Sequence, residues 1–216
     1  MINSQTEKQI IAHRQNSVEA IQSTLTQFKQ LNQTPFIEID IRKRDSQFIV
    51  AHDNNEKTNL TIQQVLAKFK NKTNFQFDLK EKDWEIEFTD LILTQLSPDQ
   101  FYITSEYLES LEKIKNNYPD KNLNLGLVIL RKNPLTFTLR LIQSNLFPQS
   151  IINKVKSNNF YLFPHYSYLN SNLLEQAKQN NIKIIPWTLN NKEQIQELSK
   201  KSQIKAILIG NLIRLE

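Results

Sequence analysis

The amino-acid sequence predicts an α/β fold of the (β/α)8, or TIM-barrel, type. Short β-rich runs alternate with longer helical patterns from end to end, and the runs number eight, as a closed barrel requires. The length of 216 residues is the third indication. It suffices for a large core and lies at the short end of what the fold tolerates, so residues 1–216 read as a single domain.

The first run, Gln9–Ala12, precedes a helical pattern over Ser17–Leu31. There Val18, Ile21, Leu25 and Phe28 share one face and Ser17 suits an N-cap. Phe36–Ile41 is the second run. An additional short strand at Gln47–Ala51 starts only about five residues after Ile41, whereas a parallel crossover takes roughly a dozen. It therefore reads as an excursion after the second barrel strand. A helix over Thr61–Phe69 leads to the third run, Asn74–Leu79. Helix Trp84–Leu96 leads to the fourth, Phe101–Thr104, and helix Ser105–Asn117 stops before Pro119. Asn124–Leu130, Phe160–Phe163, Lys183–Trp187 and Ala206–Ile209 complete the eight, with helices at Leu173–Asn180 and Lys192–Lys200. No linker, low-complexity tract or internal repeat interrupts the series.

Composition narrows the function classes. Hydrophobic residues at 39% and charged residues at 23% are ordinary globular values that exclude a disordered chain. The absence of cysteine removes disulfides and thiolate metal sites. No basic stretch precedes an apolar leader, and nothing approaches roughly 18 consecutive apolar residues, so a cytoplasmic protein without a transmembrane segment is expected. A net charge of +5 and a pI near 9.2 favour anionic partners such as phosphate esters. The basic clusters Arg42-Lys43-Arg44 and Lys68-Phe69-Lys70-Asn71-Lys72 are interrupted. They read as solvated faces, and no nucleic-acid partner is expected. Only two glycines occur, so Asn, Gln and Lys must fill most turns.

Polar residues inside barrel strands carry the chemistry. In Phe36-Ile37-Glu38-Ile39-Asp40-Ile41 the isoleucines alternate with two carboxylates, so Glu38 and Asp40 share a face. The isoleucines must meet the helices, which turns the carboxylates into the barrel mouth. Two carboxylates side by side repel each other, a conflict that a divalent cation or a pair of internal salt bridges would resolve. In Phe75-Gln76-Phe77-Asp78-Leu79-Lys80 the same alternation adds Asp78 and Lys80. Lys80 would either pair with Asp78 or hold a substrate phosphate. An all-oxygen cluster of this kind suits Mg2+ or Ca2+ better than zinc. His13 and His52 close two β-rich runs and flank the acidic strands, where one could take a proton and the other deliver one. His165, at the end of the sixth run, is expected only to line the rim.

These motifs, in order and rough spacing, resemble the glycerophosphodiester phosphodiesterase family. They are His13-Arg14, Asn16-Ser17, Glu38-Ile39-Asp40, Val50-Ala51-His52-Asp53, Asp78-Leu79-Lys80, Phe101-Tyr102-Ile103-Thr104-Ser105 and Trp187-Thr188-Leu189-Asn190. The resemblance implies a TIM barrel that hydrolyses phosphodiesters to a phosphomonoester and an alcohol. It implies His13 and His52 as the acid/base pair, and Glu38, Asp40 and Asp78 as ligands of one divalent cation, Mg2+ or Ca2+. Arg14 and Lys80 would contact phosphate, and Trp187 would line the pocket for the alcohol or glycerol part. The chain departs from the family pattern at Gln15-Asn16-Ser17, where a Gly and a Glu-Asn-Thr motif are usual. It departs also at Asp78, which replaces a glutamate, and at Ile209-Gly210-Asn211-Leu212, which replaces Thr-Asp-x-Pro. The segment after His52-Asp53 is too short for the family's inserted subdomain. The His-x-x-Asn start and the Asp-Leu-Lys strand resemble the related sphingomyelinase D branch.

The expectation is a metal-dependent phosphodiesterase acting on a small phosphodiester or a lysophospholipid. It would yield glycerol 3-phosphate and an alcohol, or a cyclic phosphate if an internal hydroxyl attacks. A non-catalytic barrel that binds a phosphorylated ligand is the rival from another class.

Overall fold

A computed structural model of the chain describes residues 8–30, 36–130 and 148–210. The order is β1 (Gln9–Ala12), α1 (Val18–Gln30), β2 (Phe36–Arg44), β3 (Gln47–Val50), α2 (Ile62–Phe69), β4 (Asn74–Leu79), α3 (Glu85–Leu93) and β5 (Phe101–Ser105). Then follow α4 (Leu108–Asn117), β6 (Asn124–Ile129), α5 (Gln149–Asn158), β7 (Tyr161–Pro164), α6 (Ser171–Gln179), α7 (Lys192–Ser199) and β8 (Ala206–Ile209). The expected end of the first helix at Leu31 and the Asn211-Leu212 pair lie outside the described residues. Among those residues no helix is long and apolar enough to cross a membrane.

The strands form one parallel, curled sheet in the order β7-β6-β5-β4-β2-β1-β8, an α/β barrel as expected. β3 lies off this path and pairs antiparallel with β2, Ile41 opposite Val50 and Arg44 opposite Gln47. The two-residue turn between them is made possible by Asp45 at φ 53°, a left-handed conformation that Asp tolerates.

The run expected at Lys183–Trp187 differs from a regular strand. It forms isolated parallel bridges, Leu162 with Ile184 and His165 with Trp187 on one side, Ile184 with Ile204 and Leu189 with Ile209 on the other. Pro186 explains part of the irregularity, because it has no N–H to donate to a ladder. Its carbonyl still accepts from Leu208 N at 3.0 Å, and Ile185 N donates to Leu162 O at 2.8 Å. Segment 183–189 therefore joins β7 to β8 and closes the ring.

Alternation along each strand sorts the side chains into two sets. Ile37, Ile39, Ile41, Phe75, Phe77 and Leu79 point outward to the helices and join one apolar cluster. Ile11, Phe36, Tyr102, Val128, Phe163, Ile185, Ala206 and Leu208 point inward and fill the barrel floor. Above that floor the inward positions of β2, β4 and β5 turn polar. Gly126 is an inward position where size matters: a Cβ there would lie 2.2 Å from Cε2 of Phe163. Only a residue without a side chain lets that ring cross the lumen.

Helix ends follow local rules. Thr61 caps α2 in a reciprocal capping box with Gln64, and Asn170 and Asn191 cap α6 and α7 through their side chains. α5 was not expected from the sequence. It follows Pro148 and ends at Asn159 in the left-handed conformation, with φ 55°.

Candidate active site

Glu38 and Asp40 on β2 and Asp78 on β4 meet at the mouth of the barrel. Their registers fix this, since Asp40 pairs with Asp78 and Glu38 with Gln76. All three carboxylates are buried, and one ligand oxygen from each lies within 4.8 Å of the others. Lys80 reaches back from the end of β4, its Nζ 2.6 Å from Asp40 Oδ1 and bonded also to Asp78. Three carboxylates against one ammonium leave two negative charges when all are ionised. Burial, and then the neighbouring Asp40 charge, hold the Glu38 carboxyl well above its ordinary range. Burial likewise raises Asp78, although Lys80 opposes it. For Asp40 burial is outweighed by Lys80 and by a hydrogen bond from Asn16, so its pKa falls. Burial would lower Lys80, but Asp78, Asp40 and Glu38 together raise it.

The donor set fits a divalent cation. It is all oxygen, it converges, and its surplus of two negative charges is what a dication neutralises. The Glu38–Asp40–Asp78 group can therefore hold such an ion.

The loop after β1 supplies the next contacts. Arg14 takes φ 57°, rare for a residue with a side chain, and this turns its N–H onto Glu38 Oε2 at 2.5 Å. Asn16 Nδ2 donates to Asp40 Oδ2 at 2.7 Å, and Asn16 Oδ1 accepts from Asp40 N at 3.2 Å. Gln15, where the family pattern has glutamate, faces away from the cluster: its Nε2 donates to His13 O and its Oε1 accepts from Thr24.

His13 and His52 both border the same cavity, of about 80 Å³, with Arg14, Glu38, Gln76, Asp78, Lys80 and Trp187. Arg14 Nη2 lies 2.7 Å from His52 Nε2, and His52 Nδ1 lies 2.9 Å from Asp53 Oδ1. A guanidinium can only donate and a carboxylate only accept, so Nδ1 of His52 carries the proton and Nε2 presents a lone pair. His13 Nδ1 lies 3.0 Å from Thr188 Oγ1. Burial, and then the Arg14 charge, lower its pKa to about 4, so its imidazole is neutral near pH 7.

The eight residues singled out in the sequence thus come together. Seven border the cavity, and Asp40 is joined to it through Lys80, whose Nζ lies 2.6 Å from its Oδ1. The Trp187 indole donates to Phe163 O at 2.9 Å and lies 6.1 Å, centroid to centroid, from His13. His165 packs edge-on against Trp187, with ring centroids 5.2 Å apart. Lys80 adopts the pairing alternative, with both Asp78 and Asp40. Sequence reasoning gave no role to Gln76, Thr104 or Thr188. Thr104 Oγ1 donates to Asp78 Oδ1 at 2.8 Å and accepts from Gln76 Nε2 at 3.2 Å. The inward parity of Gln76 and Thr104 could have flagged both.

Fold and site together describe an α/β barrel whose mouth carries an acidic cluster able to hold a cation. A model of the glycerophosphoryl diester phosphodiesterase family matches residues 12–209. The chain belongs to that family, and with it to the phosphoric diester hydrolases. No match to a curated protein was found. Solved structures support the fold. A glycerophosphodiester phosphodiesterase from Parabacteroides distasonis shares 15% identity at a TM-score of 0.70, over 94% of this chain and 92% of that one. One from Agrobacterium tumefaciens shares 12% at 0.68, over 96% and 98%. A phosphodiesterase from Oleispira antarctica, solved with the product sn-glycerol-3-phosphate, shares 15% at 0.69, over 93% and 92%.

Proposed function

We propose that this chain is a divalent-cation-dependent phosphodiesterase. It hydrolyses small glycerophosphodiesters to glycerol 3-phosphate and an alcohol, with His13 and His52 as the acid/base pair. The observation that carries this reading is the convergence of Glu38, Asp40 and Asp78 beside both imidazoles in one cavity. The product held by the Oleispira antarctica enzyme supports the choice of a small glycerol phosphate ester.

Glu38, Asp40 and Asp78 would hold the cation, Mg2+ or Ca2+, which when bound supplies Lewis-acid stabilisation of charge on a phosphoryl oxygen. Arg14 would offset the charge that develops on the phosphate oxygens, joined by Lys80 to the extent that a bound cation frees it from Asp40 and Asp78. One imidazole takes a proton from the attacking water, and the other, protonated once the phosphodiester anion is bound, gives one to the leaving alkoxide. Asp53 fixes the His52 tautomer through Nδ1, and Thr188 holds the His13 ring by the corresponding atom. Trp187, Phe163, Leu208, Val128 and Leu130 form an apolar wall across from the carboxylates, suited to the carbon skeleton of the substrate.

The test is turnover of glycerophosphocholine and of a lysophospholipid by wild type, His13→Ala, His52→Ala and Glu38→Gln, with products resolved by phosphorus NMR. Glycerol 3-phosphate from the wild type and at least a hundredfold loss of kcat in each variant is expected. Full activity in both histidine variants would overturn the mechanism. A cyclic phosphate product would redirect it to attack by an internal hydroxyl.

A further inference from the structure

Arg42 and Arg44 follow Glu38 and Asp40 on the same inward-facing parity of β2, beyond the point where the strand leaves the barrel to pair with β3. Both side chains turn onto the loop that carries His52. Arg42 Nε and Nη2 donate to the same carbonyl, His52 O, at 3.0 and 2.9 Å. Arg44 Nη2 donates to Asn54 O at 3.3 Å and Glu56 O at 3.1 Å, and its Nη1 to Thr58 O at 3.5 Å. Four alternate carbonyls, at 52, 54, 56 and 58, thus end on two guanidiniums. Arg42 is itself held by Glu81 at 2.6 Å. Glu56 closes the other side, its Oε2 accepting from His52 N at 2.8 Å and Asp53 N at 3.3 Å.

This segment lies just after β3, where sheet pairing has ended, so no ladder fixes His52. We propose that Arg42 and Arg44 are positioning residues that clamp the 52–58 loop and hold His52 Nε2 in its working place. The inference rests on the reading of His52 as an acid/base residue. Lys43 provides an internal control. It lies between the two arginines on the opposite parity, paired with Glu87 on the surface, so its removal deletes the same charge without touching the loop.

The experiment compares kcat and KM of Arg42→Met, Arg42→Lys, Arg44→Met, Lys43→Met and His52→Ala, with cation affinity measured by calorimetry and amide exchange followed over residues 52–58. Arg42→Met and Arg44→Met should each lose about tenfold or more in kcat, with KM within about threefold. Cation affinity should hold while loop exchange accelerates. Arg42→Lys, which keeps the charge but not the two-pronged donor, should recover only part of the loss. Lys43→Met should match the wild type. If His52→Ala is inactive while both arginine variants keep wild-type kcat, the clamp is wrong and the mechanism stands. An equal loss in Lys43→Met would likewise reduce the effect to net charge and overturn the clamp. If His52→Ala is itself fully active, the acid/base reading fails and the clamp's catalytic role falls with it.

Discussion

Among the site residues His13 shows most directly how position sets chemistry. Half-buried beside Arg14, its imidazole has a folded-state pKa of about 4, against an ordinary 6.5. A histidine whose pKa is lowered by folding binds its proton more readily in the unfolded chain. It therefore costs no stability above about pH 6.5, and an increasing amount as the pH falls through 6.5 toward 4. The measurement is thermal unfolding of cation-free wild type and His13→Gln from pH 7.5 to 4. Wild type should lose stability more steeply between pH 6.5 and 4, and parallel curves would contradict the assignment. The acidic residues were legible in the sequence because a strand repeats every two residues: Glu38 and Asp40 had to share a face, and the isoleucines between them had to take the other. Arg42 and Arg44 were not legible as loop clamps. Their acceptors are main-chain carbonyls 10 to 14 positions away, a partnership with no residue-type signature.

Elements divide in the same way. β2, β4 and β5 announce themselves by alternation, and β3 by its short distance from β2. Lys183–Trp187 was legible as a β-rich run, yet its interruption at Pro186 shows only in the hydrogen bonds it makes to both neighbours. α5 went unread because it begins directly after Pro148 with a lysine- and asparagine-rich face, and its buried residues are only Ile152 and Val155. β6 offers an element-scale test at Gly126, where the Phe163 ring occupies the space a Cβ would need. Gly126→Ala should lower unfolding free energy by about 1–3 kcal/mol, the usual cost of overpacking. At this chain length that is a fall in Tm of roughly 2–4 °C per kcal/mol. Pairing it with Phe163→Leu, which frees that space, should recover part of the loss in a double-mutant cycle. Strict additivity would contradict the contact.

At the scale of the whole molecule the barrel keeps two kinds of interior apart. Its floor is apolar and packed, and its mouth carries three buried carboxylates whose repulsion a positive charge or protonation relieves. Lys80 supplies one positive charge, and Glu38 and Asp78 remain pushed toward protonation. Glu38, Asp40 and Asp78 could together hold a divalent cation at that mouth. The order of motifs along the chain made the barrel and its family legible, because each motif closes a different strand and only a ring brings them together. The substrate pocket was less so, since its apolar wall is built from Val128, Leu130, Phe163 and Leu208, residue types indistinguishable from core. The most direct test of the account is product-resolved turnover of glycerophosphocholine by protein stripped with chelator and reloaded with Mg2+, Ca2+ or Mn2+. Turnover should fall to background on stripping, and at least one cation should restore glycerol 3-phosphate formation. Undiminished turnover in the stripped protein would contradict a cation-dependent phosphodiesterase built on Glu38, Asp40 and Asp78.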